Sequence, residues 1–225
     1  MKPRLSVIVP VLEEVAGIAA TLAALAPLRA IGHELIVVDG GSRDGTPALC
    51  QGHADAVLAG PRGRARQMNA GAAQARGEVL LFLHADTLLP SAADALLLQA
   101  IDAGADWGRF DVRIVGRSRW LPLVAALMNR RSRWTGIATG DQAIFVRRAL
   151  FEHLGGYAEQ PLMEDIELSR RLRAHSRPAC LHERVKTSGR RWDERGAWRT
   201  IVLMWRLRWR YWRGAAPETL ARLYR

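Results

Sequence analysis

The sequence predicts an α/β protein in which helices flank a mostly parallel central sheet. Strand and helix patterns alternate through the first half of the chain, and the strands are continuous apolar runs. Such strands are buried on both faces, as in parallel sheets that are covered by helices on each side. With 225 residues, of which 49% are hydrophobic, the chain is long enough to build this core.

Four strand patterns, each followed by a helix pattern, make up the first half of the chain. The first helix is predicted from Ile18, Leu22 and Leu25, which share one side at helical spacing. Thr46 and Ser91 are the predicted N-caps of the second and fourth helices. The strands are predicted at residues 5–11, 33–41, 56–60 and 78–86, and the helices at 14–28, 45–51, 62–77 and 91–104.

The second half is less regular. Residues 107–115 alternate like a half-exposed antiparallel strand, residues 143–157 read as a strand leading into a short helix, and residues 163–176 are helical. From about residue 196 the chain is rich in tryptophan and arginine. We therefore predict a domain of residues 1–195 and a basic, Trp-rich amphipathic helical extension of residues 196–225.

The composition restricts the partners and the compartment. A net charge of +11 favours anionic partners: nucleotides, phospholipid surfaces or nucleic acid. Cys50 and Cys180 form neither a disulfide framework nor a paired metal motif, which indicates a reducing compartment and a cytoplasmic location. The first strand begins without a preceding signal-peptide pattern, and no apolar run approaches the roughly 20 residues of a membrane span.

Polar side chains follow three of the predicted strands. Glu14 comes after the first strand, Asp39 ends the second, and His84 and Asp86 end the fourth. In open α/β sheets, ligands bind beyond these carboxyl ends. The first strand is not followed by a dinucleotide-binding glycine pattern, and the chain has no P-loop. A divalent cation that bridges a diphosphate to Asp86 explains this carboxylate. The alternative is that Asp86 only caps the next helix.

Several segments together resemble the family 2 glycosyltransferases of GT-A fold. They lie in the family's order between about residues 4 and 192: SVIVPVLEE, ELIVVDGGSRDGT, GRARQMNAGAAQARGEVLLFLHADT, GDQAIFVRR, PLMEDIELSRRLR and TSGRRW. The resemblance implies a GT-A fold, which is the Rossmann-like fold of nucleotide-diphospho-sugar transferases. Within the family, the sequence looks most like the arsenosugar-biosynthesis-type glycosyltransferases.

The resemblance also assigns roles to individual residues. Asp165 matches the catalytic base, and Asp86 matches the metal-binding position that holds Mg²⁺ or Mn²⁺. His84 stands where the family has a first aspartate, and Asp39 matches the residue that binds the nucleobase, commonly uracil. The other expected substrate-binding residues are Pro10, Glu14, Arg66, Asn69, Ala85, Asp141, Glu164, Arg191 and Trp192.

Two of these assignments have structural alternatives. Arg66 and Asn69 lie in a predicted helix that is rich in arginine, and such a helix face is often simply exposed to water. Asp165 falls in the first turn of a predicted helix, where an acidic residue complements the helix dipole whatever its function.

The implied activity is an inverting, metal-dependent transfer of a sugar from a nucleoside-diphosphate sugar, with UDP as the expected nucleotide, to an unidentified acceptor hydroxyl. A carboxylate would take the proton of that hydroxyl while the metal stabilises the departing diphosphate. A nucleotidyltransferase would show a glycine-rich loop after the first strand, and the sequence has none there.

Two further function classes stay open at this point. One is a catalytically weakened, membrane-associated nucleotide-binding protein, because His84 replaces a carboxylate. The other is a basic nucleic-acid-binding protein. The scattered arginines and the lack of a DNA- or RNA-binding signature argue against nucleic acid as a partner.

The C-terminal segment has an amphipathic helical pattern. One face carries Trp198, Ile201, Val202, Trp205, Trp209 and Trp212, with arginines alongside it. Tryptophan beside arginine suits the interface of an anionic bilayer, so we expect peripheral contact with the inner face of the cell membrane. Alternatively, this face packs on the domain or on a second subunit in a homodimer.

Overall fold

The structure is a computed structural model that describes residues 2–224, apart from the side chains of residues 195 and 197. Its strands are β1 (Leu5–Val11), β2 (Glu34–Asp39), β3 (Ala56–Ala59), β4 (Val79–Phe82), β5 (Thr87–Leu88), β6 (Trp107–Val115), β7 (Ile144–Arg147) and β8 (Ala179–Ser188). Its helices are α1 (Ile18–Ala30), α2 (Thr46–Cys50), α3 (Arg64–Gln74), α4 (Ala93–Asp102), α5 (Leu121–Thr135), α6 (Arg148–His153), α7 (Glu164–His175), α8 (Arg190–Arg195), α9 (Ala197–Trp212) and α10 (Pro217–Tyr224).

The described strands form one sheet in the order β3-β2-β1-β4-β7-β6-β8-β5. Strands β3, β2, β1 and β4 are parallel, as are β6 and β8. Strand β7 runs antiparallel to both of its neighbours, and β5 runs antiparallel to β8. The predicted α/β fold with a mostly parallel sheet is therefore confirmed.

Helices cover both faces of this sheet, which explains the continuous apolar strands. Val7 and Val9 of β1 pack in one core with α1, α4 and α5, whereas Ile8 packs in a second core with α3, α6 and α7. Successive strand residues point to opposite faces, so a strand between two helical layers must be apolar at every position. The carboxyl ends of β1 and β4 emerge side by side between these layers.

Several local predictions are wrong. Neither Thr46 nor Ser91 is an N-cap: Gly45 and Ala92 hold these positions before α2 and α4, both in the left-handed backbone region, and no side chain caps either helix. Strand β6 is buried over its first six residues rather than half-exposed, since it lies between β7 and β8. Helix α5 and strand β8 were not predicted, and both contribute to the cavities described below.

The C-terminal helices pack against the rest of the chain by one side only. Leu207 of α9 and Leu220 of α10 form a small buried cluster with Met163, the residue that precedes α7. Trp198, Val202, Trp205, Trp209 and Trp212 stay exposed on α9. Part of this face nevertheless contacts the chain's own domain, because Ile201 packs against the main core and the Trp198 ring lies 5.1 Å from that of Trp120. Among the described residues, no helix is both long and apolar enough to cross a membrane.

Candidate active site at the carboxyl ends of β1 and β4

Two adjoining cavities open where β1 and β4 end. Their volumes are about 780 and 730 Å³. The larger cavity extends between α5, α7 and α9, and the smaller one runs along the end of β1 to the start of α3. Both are lined by Glu14, Arg64, His84, Asp86, Leu162, Glu164, Arg191 and Tyr224. These shared residues form a common wall that is rich in charge.

The cavities bring together eleven of the thirteen predicted site residues. Besides the predicted residues of the common wall, the larger cavity is lined by Asp141, Asp165 and Trp192, and the smaller one by Pro10, Arg66 and Ala85. The predicted acids come from loops after β1 and β4, from the turn at Gly140–Gln142 and from the first turn of α7. Residues that are far apart in sequence therefore meet at one edge of the sheet.

Asp39 and Asn69 line neither cavity. The carboxylate of Asp39 accepts hydrogen bonds from the backbone N–H groups of Gly41 and Ser42 at 2.9 and 3.0 Å. The amide of Asn69 donates to the carbonyl of Tyr157 at 2.8 Å and accepts from the N–H of the same residue at 2.9 Å. Asp39 thus organises its own turn, and Asn69 links α3 to the segment after α6. Neither side chain reaches the cavity walls.

Asp165 is held in place by backbone groups. Its Oδ2 accepts a hydrogen bond from the N–H of Gly140 at 2.9 Å, and its Oδ1 accepts one from the N–H of Ile166 at 2.7 Å. Burial raises the pKa of this carboxyl; the two N–H groups and His84 oppose the shift, and Asp141 adds to it. The net pKa lies above that of an ordinary aspartate, which makes Asp165 a stronger proton acceptor.

Glu164 lies beside Asp165 and is almost fully buried. Burial raises its pKa, and the neighbouring charge of Asp165 raises it further. The two acids follow Met163, whose φ of 67° is in the left-handed region that is unfavourable for a residue with a side chain. Backbone strain of this kind persists where the surrounding structure fixes it, often at functional sites.

His84 contacts a second acid of the larger cavity. Its Nδ1 lies 3.2 Å from Oδ1 of Asp141, and its ring packs over Gly140. Burial raises the pKa of Asp141, but His84, Arg64 and Arg191 outweigh this effect and lower it. Asp141 is therefore kept ionised. The residue that replaces the expected first aspartate is thus engaged by a carboxylate from another loop.

Asp86 is exposed and has few partners. The hydroxyl of Thr87 contacts its carboxylate at 3.4 Å, which is a weak hydrogen bond. Within residues 2–224, no three His, Cys, Asp or Glu side chains are arranged to hold a metal ion. Mg²⁺ is commonly held by one or two carboxylates together with substrate phosphates and water. The exposed Asp86 fits that kind of shared site, whereas a site made only of protein ligands does not fit.

Glu14 closes the common wall on the side of β1. Its carboxylate lies 3.7 Å from the guanidinium of Arg190, at the start of α8. Burial raises the pKa of Glu14, Arg190 lowers it, and the nearby Asp86 raises it again. This pair links the loop after β1 with the segment after β8.

Sequence reasoning missed the cavity residues that come from α5 and the C-terminal helices. Arg131 and Met128 on α5, Met204 and Arg208 on α9, and Tyr224 on α10 all line the larger cavity. The guanidinium carbon of Arg191 lies 4.1 Å from the centre of the Tyr224 ring. The sequence offered no signal for them, since a basic helix usually faces solvent and only the packing of α9 and α10 turns these side chains inward.

The fold is similar to that of known glycosyltransferase structures. The S. aureus protein TarS, residues 1–349, matches with a TM-score of 0.66 and 20% identity over 84% of this chain and 61% of its own. The same protein in complex with UDP-GlcNAc matches equally well over 58% of its chain. A mannosyltransferase from Pyrobaculum calidifontis, in complex with GDP-Man and Mn²⁺, matches with a TM-score of 0.66 and 23% identity over 100% of this chain and 69% of its own.

These neighbours confirm the predicted GT-A architecture, and this chain spans about 60% of the length of the TarS fragment. Comparison with curated proteins found no match. The model of the family described as "Glycosyl transferase family 2" matches residues 6–155, which is about two thirds of the chain. The chain therefore belongs to glycosyl transferase family 2.

Proposed function

We propose that this chain transfers a sugar, with inversion, from a nucleoside-diphosphate sugar to an acceptor hydroxyl. One observation carries the proposal: Asp165 and Asp86 line the same cavity, and a second cavity opens from the wall that includes Asp86. A base and a diphosphate-binding carboxylate are thus placed around one space that can hold two substrates. The arsenosugar-type assignment stays a prediction.

The donor is expected in the smaller cavity, with its diphosphate at the common wall. Arg64 and Arg191 supply positive charge there, and guanidinium groups bind phosphate oxygens well. UDP is the expected nucleotide. A contact between Asp39 and the nucleobase stays a prediction. Asp39 lines neither cavity, but it pairs in the sheet with Val11, which lines the smaller one.

Asp165 acts as the general base in this proposal. It takes the proton of the acceptor hydroxyl as that oxygen forms a bond to the anomeric carbon, while the bond from this carbon to the diphosphate breaks. The raised pKa of Asp165 suits the task, and the N–H groups of Gly140 and Ile166 fix the direction of its carboxylate. Glu164 is expected to support the loop or to contact the acceptor.

Asp86 would hold Mg²⁺ or Mn²⁺ together with the donor diphosphate. When bound, such a cation supplies positive charge that stabilises the leaving group. His84 packs over Gly140 and positions the loop that holds Asp165, and Asp141 keeps the imidazole in place.

We also propose that α9 contacts an anionic membrane surface. Its tryptophans are exposed, with Trp212 at 80%, and arginines lie beside them. Rings of this kind sit at headgroup depth, and guanidinium groups meet lipid phosphates.

A ligand screen by thermal shift tests the catalytic proposal. UDP and GDP, each with and without Mn²⁺, should be compared first, because the two solved neighbours carry UDP-GlcNAc and GDP-Man. We expect stabilisation by a nucleoside diphosphate that is larger with Mn²⁺, followed by hydrolysis of one nucleotide sugar. Salt-sensitive DNA binding without any nucleotide effect would instead favour the nucleic-acid alternative.

A further inference from the structure

Away from the common wall, the larger cavity has a set of apolar side chains among its polar lining residues. Helix α5 and strand β6 supply one side of it, and α9 supplies the other. These walls include Ile114, Val124, Leu127, Met128, Ile201 and Met204. The charged diphosphate of a nucleotide does not match these apolar side chains. The cavity volume of about 780 Å³ is in the range of small-molecule sites.

Four arginines outside the common wall also line this cavity, namely Arg130, Arg131, Arg190 and Arg208, and two of them have shielded nitrogen atoms. Nε and Nη2 of Arg131 are shielded from solvent and have no hydrogen-bond partner in the described part of the chain, and the same holds for Nε of Arg208. Burial lowers the pKa of Arg131, and Asp165 opposes that shift. The cationic group therefore lies in the electrostatic range of the proposed base.

Neighbouring arginines of the same region are treated differently by the fold. Arg109 is fully buried and paired with Asp111, and Arg133 donates to the other oxygen of Asp111 at 2.8 Å. The fold thus pairs these charges with a carboxylate by hydrogen bonds, whereas Nε and Nη2 of Arg131 have no such partner among the described residues.

A shielded charged donor without a partner costs stability, and native structures retain few of them. A ligand that accepts hydrogen bonds from these nitrogen atoms would remove this cost. Guanidinium groups match the planar or bidentate geometry of carboxylate and phosphate oxygens. The missing partner of Arg131 is therefore expected to be an anion.

We propose that the larger cavity binds an amphiphilic acceptor, with an anionic group on Arg131 and an apolar portion along α5 and α9. The role of this ligand as the acceptor rests on the proposed function, whereas its chemical class follows from the cavity. Three lining residues are also strongly exposed: Leu127 at 53%, Trp205 at 69% and Trp134 at 73%. The cavity therefore opens onto an apolar surface through which a hydrocarbon chain can leave.

The test measures binding of three probes to the full chain by calorimetry, below the micelle concentration. Dodecyl phosphate carries both features, dodecyl glycerol lacks the charge, and inorganic phosphate lacks the chain. For the wild type we expect dodecyl phosphate to bind at least about tenfold more tightly than either of the others. Equal affinity for inorganic phosphate would overturn the amphiphile and indicate a free-anion site.

Substitution of Arg131 separates recognition from structure. We expect Arg131→Met to weaken dodecyl phosphate binding by about tenfold or more and to leave dodecyl glycerol within about twofold, with partial recovery in Arg131→Lys. The matched control is Arg206→Met, an exposed arginine of α9 that lines neither cavity, and it should stay within about twofold of the wild type for all probes.

Stability without ligand provides the second readout. Because Nε and Nη2 of Arg131 are buried without a hydrogen-bond partner in the described part of the chain, Arg131→Met should melt at the same or a higher temperature than the wild type. A lower melting temperature together with unchanged dodecyl phosphate affinity would show that Arg131 is structural, and the proposal would fail. The probes contain no nucleotide, so their binding does not depend on whether the chain binds UDP. A failure of the proposed function can therefore be distinguished from a failure of this proposal.

Discussion

The backbone N–H of Gly140 donates a hydrogen bond to Oδ2 of Asp165 at 2.9 Å, and the His84 ring packs against the same glycine. A Cβ on Gly140 would lie 2.4 Å from Nε2 of His84. The end of β4, the 3-10 turn at Gly140–Gln142 and the start of α7 therefore meet at one residue without a side chain. The orientation of the proposed base depends on backbone contacts that only this close approach permits.

Replacing Gly140 should disturb the site more than the fold. Gly140→Ala is expected to displace the buried His84 ring, to break its contact with Asp141 and to lower sugar transfer or donor hydrolysis by about tenfold or more. Kinetics and a thermal melt on the same sample check this. The control is Gly71→Ala on α3, where a Cβ would lie 2.5 Å from Ile8 in the sheet core, so stability should fall by about 1–3 kcal/mol. Full activity in Gly140→Ala would contradict the proposed arrangement.

Asp165→Asn should abolish transfer and leave UDP binding within about twofold, because the amide accepts a hydrogen bond but takes no proton. The raised pKa means that the folded chain binds this proton more tightly than the unfolded chain does, so ionised Asp165 costs stability above its folded pKa. The asparagine NH2 cannot accept from one of the two N–H groups, which costs stability at every pH, whereas removal of the ionised charge offsets this cost only at neutral pH. The variant should therefore melt closer to the wild type at neutral pH than at a pH below both pKa values. Loss of UDP binding in parallel with activity would contradict a role as base.

The pH dependence of transfer should reflect the same group. Activity requires the ionised carboxylate, so it should fall as the pH is lowered through a pKa that burial holds above that of an ordinary aspartate. The measurement is kcat/KM for the nucleotide sugar against pH, in buffers of constant ionic strength. A midpoint at or below the ordinary aspartate value of 3.8 would argue that another group limits the acid side.

Asp86→Ala should uncouple nucleotide binding from the metal. We expect UDP affinity in the presence of Mn²⁺ to fall by about tenfold or more, while affinity in a chelator changes by less than about twofold. Titration calorimetry with and without Mn²⁺ separates these effects. Asp94→Ala on α4, which lines neither cavity, serves as the carboxylate control. A wild type that binds UDP equally well in both buffers would rule out the metal-bridged arrangement.

The membrane proposal is tested by point substitutions on the exposed face of α9. Removing the whole helix would also expose Met163 beside the two acids, so truncation would confuse the two functions. The double substitution Trp209→Ser and Trp212→Ser changes exposed residues that line neither cavity, and vesicle affinity should fall by about tenfold. Sedimentation with phosphatidylserine vesicles measures this, and neutral vesicles should bind both proteins weakly. Unchanged sedimentation of the folded variant would remove the membrane contact.

The layers of the fold and the placement of the main acids follow from local patterns in the sequence. Continuous apolar strands can be buried only between two helical layers, and strand ends in such a sheet converge on one edge, so Asp86 and Glu14 were predictable neighbours. Asp44 lies in the turn SRDGT, where an aspartate commonly bonds the nearby backbone, and its carboxylate does accept hydrogen bonds from the N–H groups of Thr46 and Val15.

Which side chains face the cavities depends on contacts between distant segments of the chain. Asp39 and Asn69 match family positions, yet neither lines a cavity, because Asp39 is bonded to the backbone of its own turn and Asn69 to the backbone of the distant Tyr157. Arg131 and Arg208 lie in basic helical segments whose sequence is typical of solvent-exposed faces. In the folded chain, both side chains line the larger cavity between α5 and α9. Periodicity along one helix reports which residues share a face, but the partner of that face is set by distant residues such as Met163, through long-range packing that local sequence does not encode.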